Sequence, residues 1–160
     1  MDPFSHTIEV RVRFAETDAQ TIAHNAAYLV WFELARVEYL RRHAGGYQAL
    51  RDRGIEALVT ESHVRYGAPA RFDDLLRVHT RCVGIRGARF RYEYLVEREG
   101  VRVADGWTAH ATVDAATFRP TRIPDWLLDA IRLAEDRPLS APSSSPAASS
   151  SSASSPLAAS

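Results

Sequence analysis

Asp18, His24 and Asn25 stand close together in "RFAETDAQTIAHN", with Glu16 just upstream, and the aromatic-rich stretch "AAYLVWFELAR" follows at once. A carboxylate can serve as a base or as a nucleophile. A helix N-terminus offers free backbone N–H groups and a partial positive charge, which suit a carbonyl oxygen turning into an oxyanion. Asp18 supplies the first within one loop of the second. Asn25 sits just before the helical run, where its side-chain oxygen can accept from first-turn N–H groups, and is read as the N-cap. These are the two requirements of acyl transfer. A thioester matches so spare a site, because its thiolate leaving group has a pKa near that of Cys, roughly 8.5, and needs no strong acid to depart. The same residues admit a purely structural reading, in which Asn25 only caps and Asp18 only closes an Asx-turn. Glu16 neighbours Asp18 along an extended segment, points away from it, and is read as structural.

The elements that would hold these residues follow from periodicity. "HTIEVRVRF" alternates Ile8, Val10, Val12 and Phe14 against Glu9, Arg11 and Arg13, the period of a half-buried strand. From Tyr28 onward, Tyr28, Trp31 or Phe32, Ala35 and Tyr39 recur at helical spacing, with Glu33, Arg36 and Arg42 elsewhere. That helix of about five turns stops near Gly45-Gly46. A shorter helical piece surrounds "YQALRDRG". Four alternating stretches then follow, "ALVTESHVRY", "LLRVHTRCV", "ARFRYEYLVE" and "VRVADGWTAHATV", separated by "GAPARFDD", "GIRG" and "REG". Short connections make the sheet mainly antiparallel, and only one long helix is available to cover it. The sheet therefore wraps around that helix. "PDWLLDAIRLAE" is a short C-terminal helix, and the apolar strand positions left over call for self-association.

Composition narrows the function. With 160 residues and a quarter of them charged, the chain reads as one globular unit over 1–139. The segment 140–160 contains only Ser, Ala, Pro and Leu and is expected to be a disordered tail. Twenty basic and twenty acidic residues balance, so no broad nucleic-acid surface is expected. Cys82 is the only cysteine, which suits a reducing cytoplasm and leaves no thiolate cluster. "MDPFSHTIEV" lacks the basic and apolar regions of a signal peptide, and nowhere do ~18 apolar residues run together, so neither export nor membrane insertion is expected. The six histidines never pair at metal-ligand spacing, and no metal or other cofactor is expected. G-x-S-x-G, P-loop, G-x-G-x-x-G and H-E-x-x-H signatures are missing.

"VRVRFAETDAQTIAHNAAYLVWFELARVEYLR", continued by "VRYGAPARFDDLLRVHTRCVGIRGARFRYEYLV" and "GWTAHATVDAATFRPTRIP", closely resembles the hotdog-fold acyl-CoA thioesterases of the 4-hydroxybenzoyl-CoA thioesterase family, particularly the branch associated with the bacterial Tol-Pal operon. The resemblance spans roughly Ile8 to Pro124. It implies an α+β hotdog fold, an antiparallel sheet of five or six strands around the long helix, and a homodimer or homotetramer with active sites between protomers. It also implies that Asp18 is the catalytic carboxylate and that the Asn25 backbone N–H polarises the thioester carbonyl. Two departures stand out: Thr21 occupies a position that is Gly in many relatives, and Asn25 one that is His in several, which leaves His24 as the only imidazole able to assist. Thr21 either reshapes the acyl pocket or sits comfortably in an unstrained turn. Tyr28, Trp31 and Phe32 are expected in the core or at the dimer face, with Tyr28 the one of the three placed to touch an acyl group, while Pro69 and Asp73-Asp74 shape the turn before the next strand. Arg86 and Arg89, around "GIRGAR", either meet the phosphates of coenzyme A at a protomer boundary, since guanidinium groups pair with phosphates bidentately, or form a solvated face.

The leading expectation is a cytoplasmic acyl-CoA thioesterase that releases free acid and coenzyme A. The alternatives are a thioesterase acting on acyl carrier protein in lipid or polyketide assembly, and a non-catalytic acyl-CoA-binding or scaffold protein. The "GIRG" stretch resembles the G-x-x-G loop of KH domains only superficially, because it joins two strands.

Overall fold

The computed structural model describes residues 4–136. The expected Ser/Ala/Pro tail lies outside the described residues. In chain order the elements are β1 (His6–Arg11), a 3-10 turn (Phe14–Glu16), α1 (Ala27–Ala44), α2 (Gly46–Asp52), β2 (Ile55–Tyr66), β3 (Leu75–Arg86), β4 (Arg89–Arg98), β5 (Val101–Asp114) and α3 (Asp125–Glu135). The strands form one sheet in the order β1-β3-β4-β5-β2. Every neighbouring pair is antiparallel. This is the α+β architecture expected from the alternating strands and the single long helix.

The sheet curls around α1 because two periodicities meet there. Trp31, Phe32, Ala35 and Tyr39, spaced for one face of a helix, are fully buried. On the strands, Leu76, Val78, Thr80 and Cys82 of β3 and Phe90, Tyr92, Tyr94 and Val96 of β4 turn the same way and are buried beneath them. Phe32 stacks on Tyr94 at 4.1 Å between centroids, and the strand beside them must be bare to admit it. A Cβ at Gly106 would lie 2.2 Å from the His63 carbonyl oxygen and 2.9 Å from Phe32 Cε2, so only glycine fits. Each such large side chain, taken fully out of water, contributes about 1.5–3 kcal/mol. Gly45 ends α1 in the left-handed conformation at φ 76°.

α3 closes the open end through one carboxylate. Glu135 Oε1 accepts from Tyr39 Oη (2.6 Å), Ser5 Oγ (2.9 Å) and the Cys82 backbone N–H (2.9 Å), joining helix, N-terminal strand and β3. Burial pushes the Tyr39 phenol and the Cys82 thiol well above their ordinary values, so both keep their protons.

Three expectations need correction. Phe14 is 77% exposed rather than half-buried, because β1 ends at Arg11, where its partner β3 begins, and the chain then turns. Arg36, expected away from the apolar stripe of α1, is nevertheless buried with its guanidinium towards the Tyr94 and Tyr47 hydroxyls. The "GIRG" break is narrower than four residues: strand pairing resumes at Arg86–Arg89 after a register shift beyond Val83, and Gly84 sits at φ 65° within that irregularity.

β2 has only β5 beside it, and its Leu58 and Val59 are exposed. Leu29, Val30 and Leu34 are exposed on the outer side of α1. No helix among the described residues is long and apolar enough to cross a membrane.

Candidate active site

Between the 3-10 turn and α1 the chain folds into a tight hairpin. Thr17 and Ala23 form an isolated antiparallel bridge, Asp18 N–H donates to Ile22 O (3.0 Å), and Thr21 N–H donates to Asp18 O (2.9 Å). The turn forces Thr21 to φ 63°, a left-handed conformation that suits glycine and strains a β-branched residue by about 1–2 kcal/mol. Arg71 holds it there, with Nη1 3.2 Å from Thr21 Oγ1.

Asp18 emerges from this turn half-buried. The Gln20 backbone N–H donates to Asp18 Oδ1 at 2.9 Å, an Asx-turn. With its carboxamide nitrogen turned towards the acid, the Gln20 side chain also reaches Oδ1 at 2.9 Å and Oδ2 at 3.1 Å. The carboxylate is thereby aimed by its own loop.

The helix start differs from the expectation for Asn25. α1 begins at Ala27 with Ala26 as N-cap, and no Ala26 side chain can serve. His24 performs the capping: its Nδ1 accepts the Ala26 N–H at 3.1 Å and its carbonyl accepts the Ala27 N–H at 2.9 Å. In the neutral ring this leaves Nε2 as the donor nitrogen. Asn25, exposed, is passed over by both bonds, and its N–H has no acceptor among the described residues.

Glu16 and the aromatics anchor the junction. Glu16 is 9% exposed; its Oε2 accepts the Arg13 backbone N–H (2.8 Å), and its Oε1 accepts Arg13 Nη2 (2.9 Å) and Trp31 Nε1 (3.1 Å). Burial alone would raise its pKa, but these donors outweigh it and hold the carboxyl below its ordinary value. Its carbonyl receives the His24 N–H at 2.7 Å. Glu16 thus fastens the loop to α1 with its charge turned inwards. Tyr28 packs on Trp31 at 4.7 Å, and burial keeps its phenol above its usual value despite the Ala70 amide opposing it.

A cleft of about 580 Å³ opens at this junction, and Asp18, His24, Asn25 and Tyr28 all line it, facing Tyr66 and Pro69. Thr21 does not line it. Arg86 and Arg89 flank the β3–β4 hairpin at the other end of the sheet: β3 starts beside the site loop, where Val12 N–H meets Asp74 O, and runs about 35 Å to Arg86. Neither arginine has an acidic partner among the described residues. Three contributors escaped the sequence reading: Gln20, Arg71 and Tyr66. An Asx-turn two residues after Asp18 could have pointed to Gln20; the others act across long sequence separations that carry no local signal. Among the described residues no group of three or more His, Cys, Asp or Glu could hold a metal ion.

A five-stranded antiparallel sheet around one helix, with a carboxylate aimed into a cleft at that helix's N-terminus, defines a hotdog-fold protein equipped for acyl transfer. The chain belongs to the Thioesterase-like superfamily, which it matches over residues 12–131. It is 32% identical over 116 residues to the acyl-CoA thioester hydrolase YbgC of Escherichia coli O6:H1, covering 72% of this chain and 87% of that one. To the acyl-CoA thioesterase YbgC of Haemophilus influenzae it is 33% identical over 116 residues, covering 72% and 85%. Among solved structures, a thioesterase of Thermus thermophilus complexed with coenzyme A and Zn aligns with TM-score 0.74 and 30% identity, over 87% of this chain and 100% of that one.

Proposed function

We propose that this protein is an acyl-CoA thioesterase that hydrolyses an acyl-CoA to the free acid and coenzyme A. The observation that carries the mechanism is the shared cleft: Asp18 and Asn25 line one volume at the loop–helix junction, and the Asn25 N–H has no acceptor among the described residues. The thioester carbonyl oxygen accepts the Asn25 N–H, which stabilises the charge that develops as the carbonyl carbon becomes tetrahedral. The Asp18 carboxylate drives the attack. As a base it takes a proton from water while the water oxygen bonds to the carbonyl carbon; as a nucleophile it forms an anhydride that water then opens. In both routes the C–S bond breaks, its electron pair leaves with coenzyme A thiolate, and the oxygen of one water ends in the acid. The Tyr28 ring meets the acyl group. His24 contributes its Nε2 donor face, and Thr21 fixes the turn that presents Asp18.

The rest of the substrate is met by a second copy. β2 has a free outer edge beside exposed Leu58 and Val59, which supports edge-to-edge pairing about a two-fold axis. Such antiparallel pairing brings the Tyr66 end of one β2 beside the Ile55 end of the other. Ile55 pairs with Asp114, three residues beyond the Ala111 opposite Arg89, so the unpaired Arg86 and Arg89 approach the partner's cleft and its coenzyme A phosphates. The close likeness of the quoted segments supports membership of the Tol-Pal-associated branch and a cytoplasmic setting.

The test is free-thiol release by the full chain from short-chain, long-chain and aromatic acyl-CoAs, and from the same acyl groups on acyl carrier protein. Turnover of acyl-CoAs with the higher kcat/KM supports the proposal. Turnover of carrier-bound substrates alone, or of none, contradicts it.

A further inference from the structure

Across the cleft from the hairpin, the last residue of β2 reaches over to the helix start. The Tyr66 hydroxyl donates to the Asn25 carbonyl oxygen at 3.0 Å. Its ring meets Tyr28 edge-on, with centroids 5.1 Å apart and planes at 81°. Asn25 precedes the N-cap Ala26, so its carbonyl lies outside the helical ladder and has no partner within α1. The Tyr66 phenol gives that carbonyl its partner from the sheet side.

Residue 25 is therefore held from the sheet and not by the helix it precedes. The next two N–H groups are used locally, Ala26's by the His24 ring and Ala27's by the His24 carbonyl, and the Asn25 N–H alone of the three stays open. The Asn25 N–H shares a peptide plane with the His24 carbonyl, which the Ala27 N–H holds at 2.9 Å, while the Tyr66 hydroxyl holds the peptide on the other side of the Asn25 Cα, so residue 25 is restrained from both sides. Stability gives little reason for this bond. Tyr66 is 51% exposed, a neutral hydrogen bond there competes with water, and phenylalanine would keep the edge-on contact with Tyr28.

We propose that Tyr66 is a positioning residue of the thioester-hydrolysing site, its hydroxyl fixing residue 25 so that the Asn25 N–H points into the cleft. The inference rests on the assignment of that N–H as the carbonyl-polarising donor. A donor turned away from the developing oxyanion loses transition-state stabilisation while contacts to the rest of the substrate stay intact, so the effect falls on kcat and spares KM.

Tyr66→Phe keeps the ring and removes only the hydroxyl. Its kcat should fall roughly tenfold with KM within about twofold of the parent and the thermal midpoint unmoved. A second readout reports on the donor itself. The infrared band of a ¹³C-labelled thioester carbonyl bound to Asp18→Asn should lie below its frequency in water, and adding Tyr66→Phe should return it towards the free value. Undiminished kcat in Tyr66→Phe, a raised KM at constant kcat, or one band position in both Asp18→Asn backgrounds overturns the role of Tyr66. Asp18→Asn at parental turnover overturns the site assignment beneath it, and is told apart because Tyr66→Phe plays no part in that comparison.

Discussion

The two acids of the entry loop have opposite duties, and Glu16→Gln separates them. The Glu16 carboxylate is buried and takes two donors from inside the fold, the Arg13 backbone N–H at 2.8 Å and Trp31 Nε1 at 3.1 Å. The Arg13 guanidinium is largely in water and adds little. A glutamine has the same shape, yet it has one acceptor oxygen where two were used, and its amide nitrogen must face a donor. Hydrogen bonds to a buried charged group contribute about 1.5–3 kcal/mol each, and an orphaned donor costs about 1–3, so the variant should lose roughly 2–4 kcal/mol of stability at pH 7. The pH dependence has a definite sign. The folded-state pKa of Glu16 is depressed, so its stabilisation is present above the unfolded value near 4.3 and is lost as pH falls through the folded one. The gap between parent and variant in urea unfolding should therefore be full at pH 7 and narrow as pH falls below the unfolded value near 4.3. Turnover by the folded variant should remain within about threefold of the parent, since Glu16 holds His24 by its backbone carbonyl, which the substitution leaves in place. Equal stability of the two proteins, a gap independent of pH, or a loss of turnover like that of an Asp18 variant would refute this division of roles.

Two further outcomes follow from burial and from the open edge. His6 is pushed down to about 4 by burial, by His43 and by Arg42, with Glu38 opposing, and His110 to about 3 by burial and Arg36. Both bind protons in the unfolded chain from about pH 6.5 downward but stay neutral in the fold, so urea unfolding should give up about 2 kcal/mol per histidine between pH 7 and pH 5. A flat stability profile over that interval contradicts their burial. Val59→Lys on the outer strand should yield a monomer by light scattering and lower turnover by more than about tenfold, because Arg86 and Arg89, proposed to meet the substrate phosphates, then come from no partner. A monomer with full turnover contradicts the two-copy site.

Much of this molecule is legible in its sequence because its signals are local. Period-two alternation marks the strands, and the spacing of Tyr28, Phe32, Ala35 and Tyr39 marks α1, since each reflects which face a few neighbouring residues bury. Asp18 is legible as a carboxylate one loop before a helix. What escapes is set by contacts across the fold. Arg36 looks like a surface residue until β4 and α2 bring the Tyr94 and Tyr47 hydroxyls over it. The cap is misplaced because Asn is the better capping type in general, whereas here the chain geometry hands the bond to the His24 ring. Tyr66 carries no local mark at all: it lies forty-one residues from Asn25 and is brought to it only by the length and register of β2 against β5.

The central claim is that the Asp18 carboxylate drives thioester hydrolysis against a carbonyl held at the start of α1. The most direct measurement is kcat/KM of Asp18→Asn and of the parent chain on the best acyl-CoA, with circular dichroism and urea unfolding on both. Asparagine keeps the shape and can still accept the Gln20 N–H, so the fold should be retained while kcat/KM falls by about 10³-fold or more. Equal turnover by the two folded proteins would contradict the claim and remove Asp18 from the chemistry.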